Sequence, residues 1–105
     1  MGFANFEKLS LSQLTKHIRK TSQATESVFI TKHARVQMKK RKINASLVYE
    51  CLREGAVRRV PEPNLRLNTL ECRMERYAAG SNCCVVAALC DEDPDVVCVT
   101  VFFSN

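Results

Sequence analysis

The sequence contains no run of about 20 consecutive apolar residues, which is the length that a membrane-spanning helix requires. Its first residues, from Met1 to Phe6, also lack the basic start and apolar core of a secretion signal. Only 3 glycines and 3 prolines are present, and no low-complexity tract occurs. This composition is typical of a folded globular protein. We therefore expect a cytoplasmic protein that has no membrane partner.

Several motifs of metal and phosphate chemistry are also missing. The sequence has no glycine-rich phosphate loop, no H-E-x-x-H motif, no C-x-x-C pair and no paired carboxylates like those that hold metal in common nucleases. The adjacent Cys83 and Cys84 lie in a strand-like run, where neighbouring side chains point to opposite faces and cannot both bind one zinc ion. We therefore expect no metal and no cofactor, and 6 reduced cysteines.

Apolar spacings near three and four residues predict three helices in the first half of the chain. The first is expected over residues 9–20, and the polar stretch 21–27 follows it as a linker. Thr31 is expected to cap a helix over residues 32–41, and Asn44 to cap the next one. Gly55 is expected to end that last helix in a left-handed conformation. The inward-facing residues expected for the second and third helices are Ala34, Met38, Leu47, Val48, Cys51 and Leu52.

After Gly55 the pattern changes to alternating or continuous apolar runs, which predict four strands over residues 56–60, 67–78, 83–90 and 96–103. Pro61 and Pro63 are expected to end the first strand. The last two strands are apolar on both faces and should lie at the sheet centre. The first helix, a dimer partner or a bound ligand would then cover the second face.

These elements predict an α+β fold in which N-terminal helices pack on a four-stranded antiparallel sheet. The length of 105 residues and the hydrophobic fraction of 46% suffice for one core. We expect residues 1–27 to form a helix and linker, and residues 28–105 to form the α+β domain.

Positive charge is concentrated in the helical half. Residues 1–59 contain thirteen Lys/Arg and four Glu, a net charge of +9, whereas residues 60–105 contain three Arg and seven acids, a net charge of −4. A polyanion would therefore meet the helical half. The alternative interpretation is a solvated, lysine-rich helix surface.

The densest group of chemically capable side chains lies in the stretch 32–42. On a helix, His33, Gln37, Lys40 and Arg41 fall on one flank, so an imidazole would lie beside cationic and amide groups. Histidine can transfer a proton and arginine can stabilise a phosphate, which suits phosphodiester cleavage. We take His33 and Arg41 as candidate catalytic residues. The candidate nucleic-acid-binding residues are Arg35, Gln37, Lys39 and Lys40. Simple helix capping by His33 is the competing interpretation.

Residues 30–102 resemble the bacterial family called domain of unknown function 4258. The resemblance is carried by Thr31-Lys32-His33-Ala34, by Met38, Arg41 and Ile43, by Val48, Leu52 and Gly55, and by Val99-Thr100-Val101. That family is similar to the RelE, ParE and BrnT toxins, which implies a RelE-like fold. The family usually carries arginine where this chain has Gln37 and glycine where it has Lys42.

The resemblance implies a fold and not an activity. Together with the basic helix and the missing metal motifs, it leads to the first hypothesis, a RelE-like toxin or metal-independent ribonuclease that acts on RNA or another nucleic acid. A non-catalytic protein-binding module, such as a phage or mobile-element product that inhibits a host protein, is the alternative. Simple nucleic-acid binding by the basic helices is a third interpretation. The expected partners are RNA, an antitoxin or host target protein, and a second copy in a homodimer.

Overall fold

A computed structural model of the protein describes residues 2–78 and 80–104. The helices are α1 (Ala4–Glu7), α2 (Leu11–Thr21), α3 (Lys32–Arg41) and α4 (Ala45–Glu54), and a short 3-10 helix spans Thr25–Ser27. The strands are β1 (Val28–Ile30), β2 (Ala56–Val57), β3 (Glu62–Asn64), β4 (Thr69–Ala78), β5 (Ser81–Leu89) and β6 (Val97–Ser104). The predicted α+β class is confirmed. Within the described ranges no helix is long and apolar enough to cross a membrane.

Polar side chains start the three long helices. The Ser10 hydroxyl accepts a hydrogen bond from the backbone N–H of Gln13, whose side chain in turn accepts from the backbone N–H of Ser10. The predicted caps are confirmed, because Thr31 accepts from a backbone N–H at 3.1 Å and Asn44 does so at 3.0 Å. These contacts satisfy donors that have no partner inside the helix.

The end of α4 differs from the expectation. Gly55 has φ −80° and ψ −172°, which is extended backbone, so the predicted left-handed conformation is wrong. Glycine is needed there for space, because a Cβ atom would lie 2.5 Å from the carbonyl oxygen of Cys51 and 2.8 Å from that of Glu75. A left-handed residue ends α3 instead, because Lys42 has φ 56° and ψ 45°.

The sheet is mixed and six-stranded, in the order β1-β6-β5-β4-β2, with β3 also paired to β4. Strand β1 is parallel to β6, and the other pairs are antiparallel. The expected four-stranded antiparallel sheet therefore needs correction. Strand β1 has only three residues, too few to show an alternating pattern, and β3 contains Pro63. Proline is tolerated there because β3 lies at an edge.

Strands β5 and β6 lie inside the sheet, as predicted from their apolar character. Their register shifts between Val86, which pairs with Val101, and Ala87, which pairs with Val99. Thr100 is thus the extra residue of a β-bulge, a feature that bends and twists a strand locally.

One apolar core joins α2, α3 and α4 to one face of the sheet. Side chains from these helices pack with alternate residues of β4, β5 and β6 in a single cluster, which includes Leu14, Ile18, Ala34, Met38, Val48, Leu52, Leu70, Met74, Val85, Val99 and Phe102. Of the residues expected on the buried face of α4, only Leu47 is exposed, with 42% of its surface accessible. Helix α2 belongs to this core, and the expected division of the chain at residue 27 stays a prediction.

The opposite face of the sheet, called the outer face below, is formed by the alternate residues of the same strands. Its members are Phe29, Glu71, Arg73, Glu75, Cys84, Val86, Ala88, Cys98, Val101 and Phe103. In the part of the chain that the structure describes, the buried side chains of the helices all join the other face.

Replacing Lys42 with glycine should stabilise the domain by about 1 kcal/mol, because a residue with a Cβ is strained in the left-handed region. Urea unfolding would measure the difference. Lys39→Gly is the matched control, because it places glycine inside α3 and should lower the free energy of unfolding by about 1 kcal/mol. Equal destabilisation by both variants would contradict the assigned backbone conformation.

Candidate functional site

Helix α3 contacts the core through a narrow stripe. Ala34 and Met38 have 0% and 8% of their surface exposed, and they belong to the core on the side of α3 that packs against β6. The other residues of α3 lie outside this stripe. The structure places the candidate residues His33, Arg35, Lys39, Lys40 and Arg41 on the exposed surface and Gln37 at a partly buried position.

Six cations of this region make up what we call the α3 cationic surface: Lys32, Arg35, Lys39, Lys40, Arg41 and Lys42. No acidic residue occurs between Glu26 and Glu50. Over residues 2–78 and 80–104, none of the six side chains forms an ion pair or a hydrogen bond. No acidic side chain of the described residues therefore neutralises these charges by direct contact.

Other arginines have structural partners. Arg19 donates to the carbonyl oxygens of Gly55 at 2.7 Å and Glu54 at 3.0 Å, so it ties α2 to the end of α4. Arg53 donates to the carbonyl oxygen of Ser22 at 2.7 Å and lies 5.1 Å from the ring centre of Tyr49.

Arg76 pairs with two carboxylates of α4, at 2.9 Å from Glu50 and 3.0 Å from Glu54. It joins β4 to α4, as Arg19 and Arg53 join α4 to the segment before it. Arg19, Arg53 and Arg76 thus form contacts between elements of the fold, whereas the α3 cations form none with the described residues.

The predicted catalytic pair is not assembled into a closed site. His33 is exposed in the first turn of α3 and Arg41 is exposed in the last. Their separation of eight residues corresponds to roughly 12 Å along a helix, at ~1.5 Å per residue. Among the described residues, no group of three or more His, Cys, Asp or Glu could hold a metal ion.

The outer face carries a cleft of about 450 Å³ that the sequence analysis missed. Arg73 lines this cleft, with a guanidinium nitrogen 3.4 Å from the Cys84 sulfur and the guanidinium carbon 5.4 Å from the ring centre of Phe103. The hydrogen bond to Cys84 raises the pKa of Arg73. At the rim, Arg59 lies 3.7 Å from a carboxylate oxygen of Glu75.

The charged residues of this cleft were visible in the alternation of β4, which indicates a half-solvated face for Glu71, Arg73 and Glu75. The apolar lining of the cleft could not be predicted from β4, because it comes from two other strands and consists of Val86, Val101 and Phe103. Only the strand register brings them opposite Arg73.

A second, apolar groove of about 280 Å³ lies on the same face, toward β1. Phe29 and Leu67 line it, and 60% and 61% of their surfaces are exposed. Ala88 and Cys98 form its floor on β5 and β6. Exposed apolar side chains in one groove are typical of surfaces that contact another protein.

Comparison with known families matches residues 30–103 to the family described as a domain of unknown function (DUF4258). The chain belongs to this family. The DUF4258 region begins at the last residue of β1, so it contains the α3 cationic surface and most of the outer face. Comparisons with curated proteins and with solved structures found no match to the chain.

The free energy of unfolding of arginine variants can distinguish the structural arginines of this DUF4258 domain from the unpartnered ones. Arg53→Ala should lower the free energy of unfolding by about 1 to 3 kcal/mol, because it removes charge-assisted hydrogen bonds to backbone oxygens. Arg41→Ala is the matched control and should change stability by less than about 0.5 kcal/mol. Denaturant unfolding would measure both. A large loss with Arg41→Ala would show that the α3 surface has a structural role.

Proposed function

We propose that this domain binds RNA through the α3 cationic surface, without a metal ion. The observation that carries the proposal is the set of six exposed cations on one short segment, none with a partner among the described residues. A polyanion fits this surface because each phosphate contact releases bound counterions, which favours association.

The arrangement of like charges supports the same conclusion. Arg35 and Lys39 are four residues apart on α3, and Lys32 and Arg35 are three apart, so each pair lies on adjacent turns. Like charges at these spacings repel by a few tenths of a kcal/mol. A phosphate bound between two of these cations would attract both of them and offset their mutual repulsion.

Binding is better supported than cleavage. A general acid or base must lie within hydrogen-bonding reach of the proton that it transfers, and it is most effective beside groups that orient it. His33 has no such neighbour in the described chain, and it lies two turns of α3 from Arg41. Metal-independent ribonuclease activity and the relationship to RelE, ParE and BrnT toxins remain proposals that rest on the sequence resemblance.

Protein binding is the second candidate function, and the groove lined by Phe29 and Leu67 favours it. The occupant that fits best is an apolar segment of another protein, because the groove offers aromatic and aliphatic surface with little charge. An antitoxin or host target would have this chemistry. Such an association would be insensitive to salt, in contrast to phosphate contacts.

Binding of the full chain to single-stranded RNA should weaken steeply with salt. Each phosphate contact contributes ~0.7 to 0.9 to the slope of log affinity against log salt concentration. Lys40→Glu with Arg41→Glu should abolish binding and leave thermal stability nearly unchanged, because exposed charges contribute little to folding. Fluorescence anisotropy over a salt series would measure the affinity.

The matched control is Lys16→Glu with Lys20→Glu, which makes the same charge change on exposed lysines of α2 and should keep most of the affinity. If the two double variants lose affinity equally, net charge rather than the α3 surface determines binding. Absence of any salt-sensitive affinity at low ionic strength would contradict the proposal and favour protein binding.

Replacement of His33 with alanine should leave RNA affinity within about twofold, because the six lysines and arginines of the α3 cationic surface, which supply the counterion release, are unchanged. Incubation of total RNA with the wild-type protein and with His33→Ala, each with and without EDTA, tests for catalysis. Metal-independent fragments that appear only with wild type would establish cleavage through His33. Equal cleavage by both proteins would exclude His33 as the catalytic residue.

A further inference from the structure

Helix α4 and strand β5 bring two cysteines together, Cys51 and Cys83, between the helix and the helix-covered face of the sheet. Cys51 has 1% of its surface exposed, and its sulfur lies 3.3 Å from the carbonyl oxygen of Met74 and 3.3 Å from that of Cys83. Cys83 is only partly buried. One thiol is thus enclosed and the other is accessible to small molecules.

Charged groups surround the accessible thiol. Arg76 of β4 lies directly across the strand pair from Cys83. Its guanidinium is fixed by Glu50 at 2.9 Å and by Glu54 at 3.0 Å, both on α4. A guanidinium held beside a sulfur favours the thiolate form, which is the reactive form of cysteine.

The two thiols have opposite acidities. A hydrogen bond from Cys51 and the charge of Arg76 lower the pKa of Cys83 to about 7, although burial and Glu50 act in the other direction. The same hydrogen bond and burial raise the pKa of Cys51, with Cys84 adding to the effect. By contrast, burial alone raises the pKa of Cys72 to about 12. Cys83 therefore supplies a nucleophilic thiolate beside the protonated thiol of Cys51. Cys72 has a raised pKa and lacks this reactivity.

We propose that Cys83 and Cys51 form a redox-active pair that a hydroperoxide converts into an intramolecular disulfide. Low-pKa, accessible cysteines next to a second thiol are the usual sites of such oxidation. The proposal does not depend on RNA binding.

The reaction has two balanced steps. The Cys83 thiolate attacks the hydroperoxide, so that a sulfur–oxygen bond forms, the oxygen–oxygen bond breaks, and the leaving oxygen takes a proton. The Cys51 sulfur then attacks the Cys83 sulfur, its own proton goes to the departing hydroxide, and water leaves. Overall, two thiols lose two electrons and two protons to the peroxide.

Oxidation of the intact wild-type chain with hydrogen peroxide at pH 7, followed by alkylation, trypsin digestion and mass spectrometry, tests the pairing. Trypsin separates Cys51 from Cys72 and from the peptide that contains Cys83, because Lys42, Arg53, Arg66, Arg73 and Arg76 are cleavage sites. A peptide joining Cys51 to Cys83, lighter by two hydrogen atoms than its reduced components, is expected, with Cys72 alkylated. The peptide 77–105 also contains Cys84, Cys90 and Cys98, so fragment ions are used to distinguish Cys83 from these three.

Two variants separate the pair from its neighbours. The Cys83→Ser variant should leave Cys51 fully alkylated after peroxide treatment. The Cys84→Ser variant, which changes the neighbouring residue of β5, should still form the Cys51–Cys83 bond. In unoxidised wild type, Cys83 should react with iodoacetamide roughly tenfold faster at pH 7 than a cysteine of ordinary pKa. A peroxide product without the Cys51–Cys83 bond, or a Cys83 that reacts no faster than the similarly exposed Cys90, would overturn the proposal.

Discussion

Packing of three helices on a single face of the sheet determines where the charged surfaces of this domain lie. Helix α4 buries Val48, Cys51 and Leu52, whereas α3 contributes only Ala34 and Met38 to the core. These two side chains join α3 to the core on the side of the helix that packs against β6. The rest of α3 is consequently free of packing constraints and can carry dense positive charge at little cost in stability.

The same arrangement leaves the outer face with a different chemistry. Its cleft contains Arg73 beside Phe103 and Cys84, with carboxylates nearby, and its groove is apolar. The α3 cationic surface lies on the helix-covered side of the sheet, whereas the groove on the outer face extends to Thr31, the residue that caps α3. The RNA-binding and protein-binding proposals therefore concern adjoining surfaces of one domain, which meet at Thr31.

Local signals predicted most of the elements, whereas pairing across the sheet escaped them. Thr31 and Asn44 identified helix starts because a cap acts on a backbone N–H three residues away. Strand β1 was missed because its register depends on β6, far along the chain. The cleft was missed for the same reason, since Phe103 meets Arg73 only through β5. The periodicity of the sequence predicted that His33 and Arg41 share a flank of α3. It could not show which arginines form structural hydrogen bonds and ion pairs, because those partners lie far away in the sequence.

The junction between α3 and α4 connects the proposed binding surface to the cysteine pair. Lys42 turns the chain in a left-handed conformation, the backbone N–H of Ile43 donates to the carbonyl oxygen of Met38 at 2.9 Å, and Ile43 packs against the core. These contacts fix α3 relative to α4 at one end. Because Cys51 lies on α4 and Cys83 on β5, the proposed disulfide would add a covalent link between the sheet and the helix that follows this junction. That link would act on a helix that Arg76 already joins to β4 through Glu50 and Glu54.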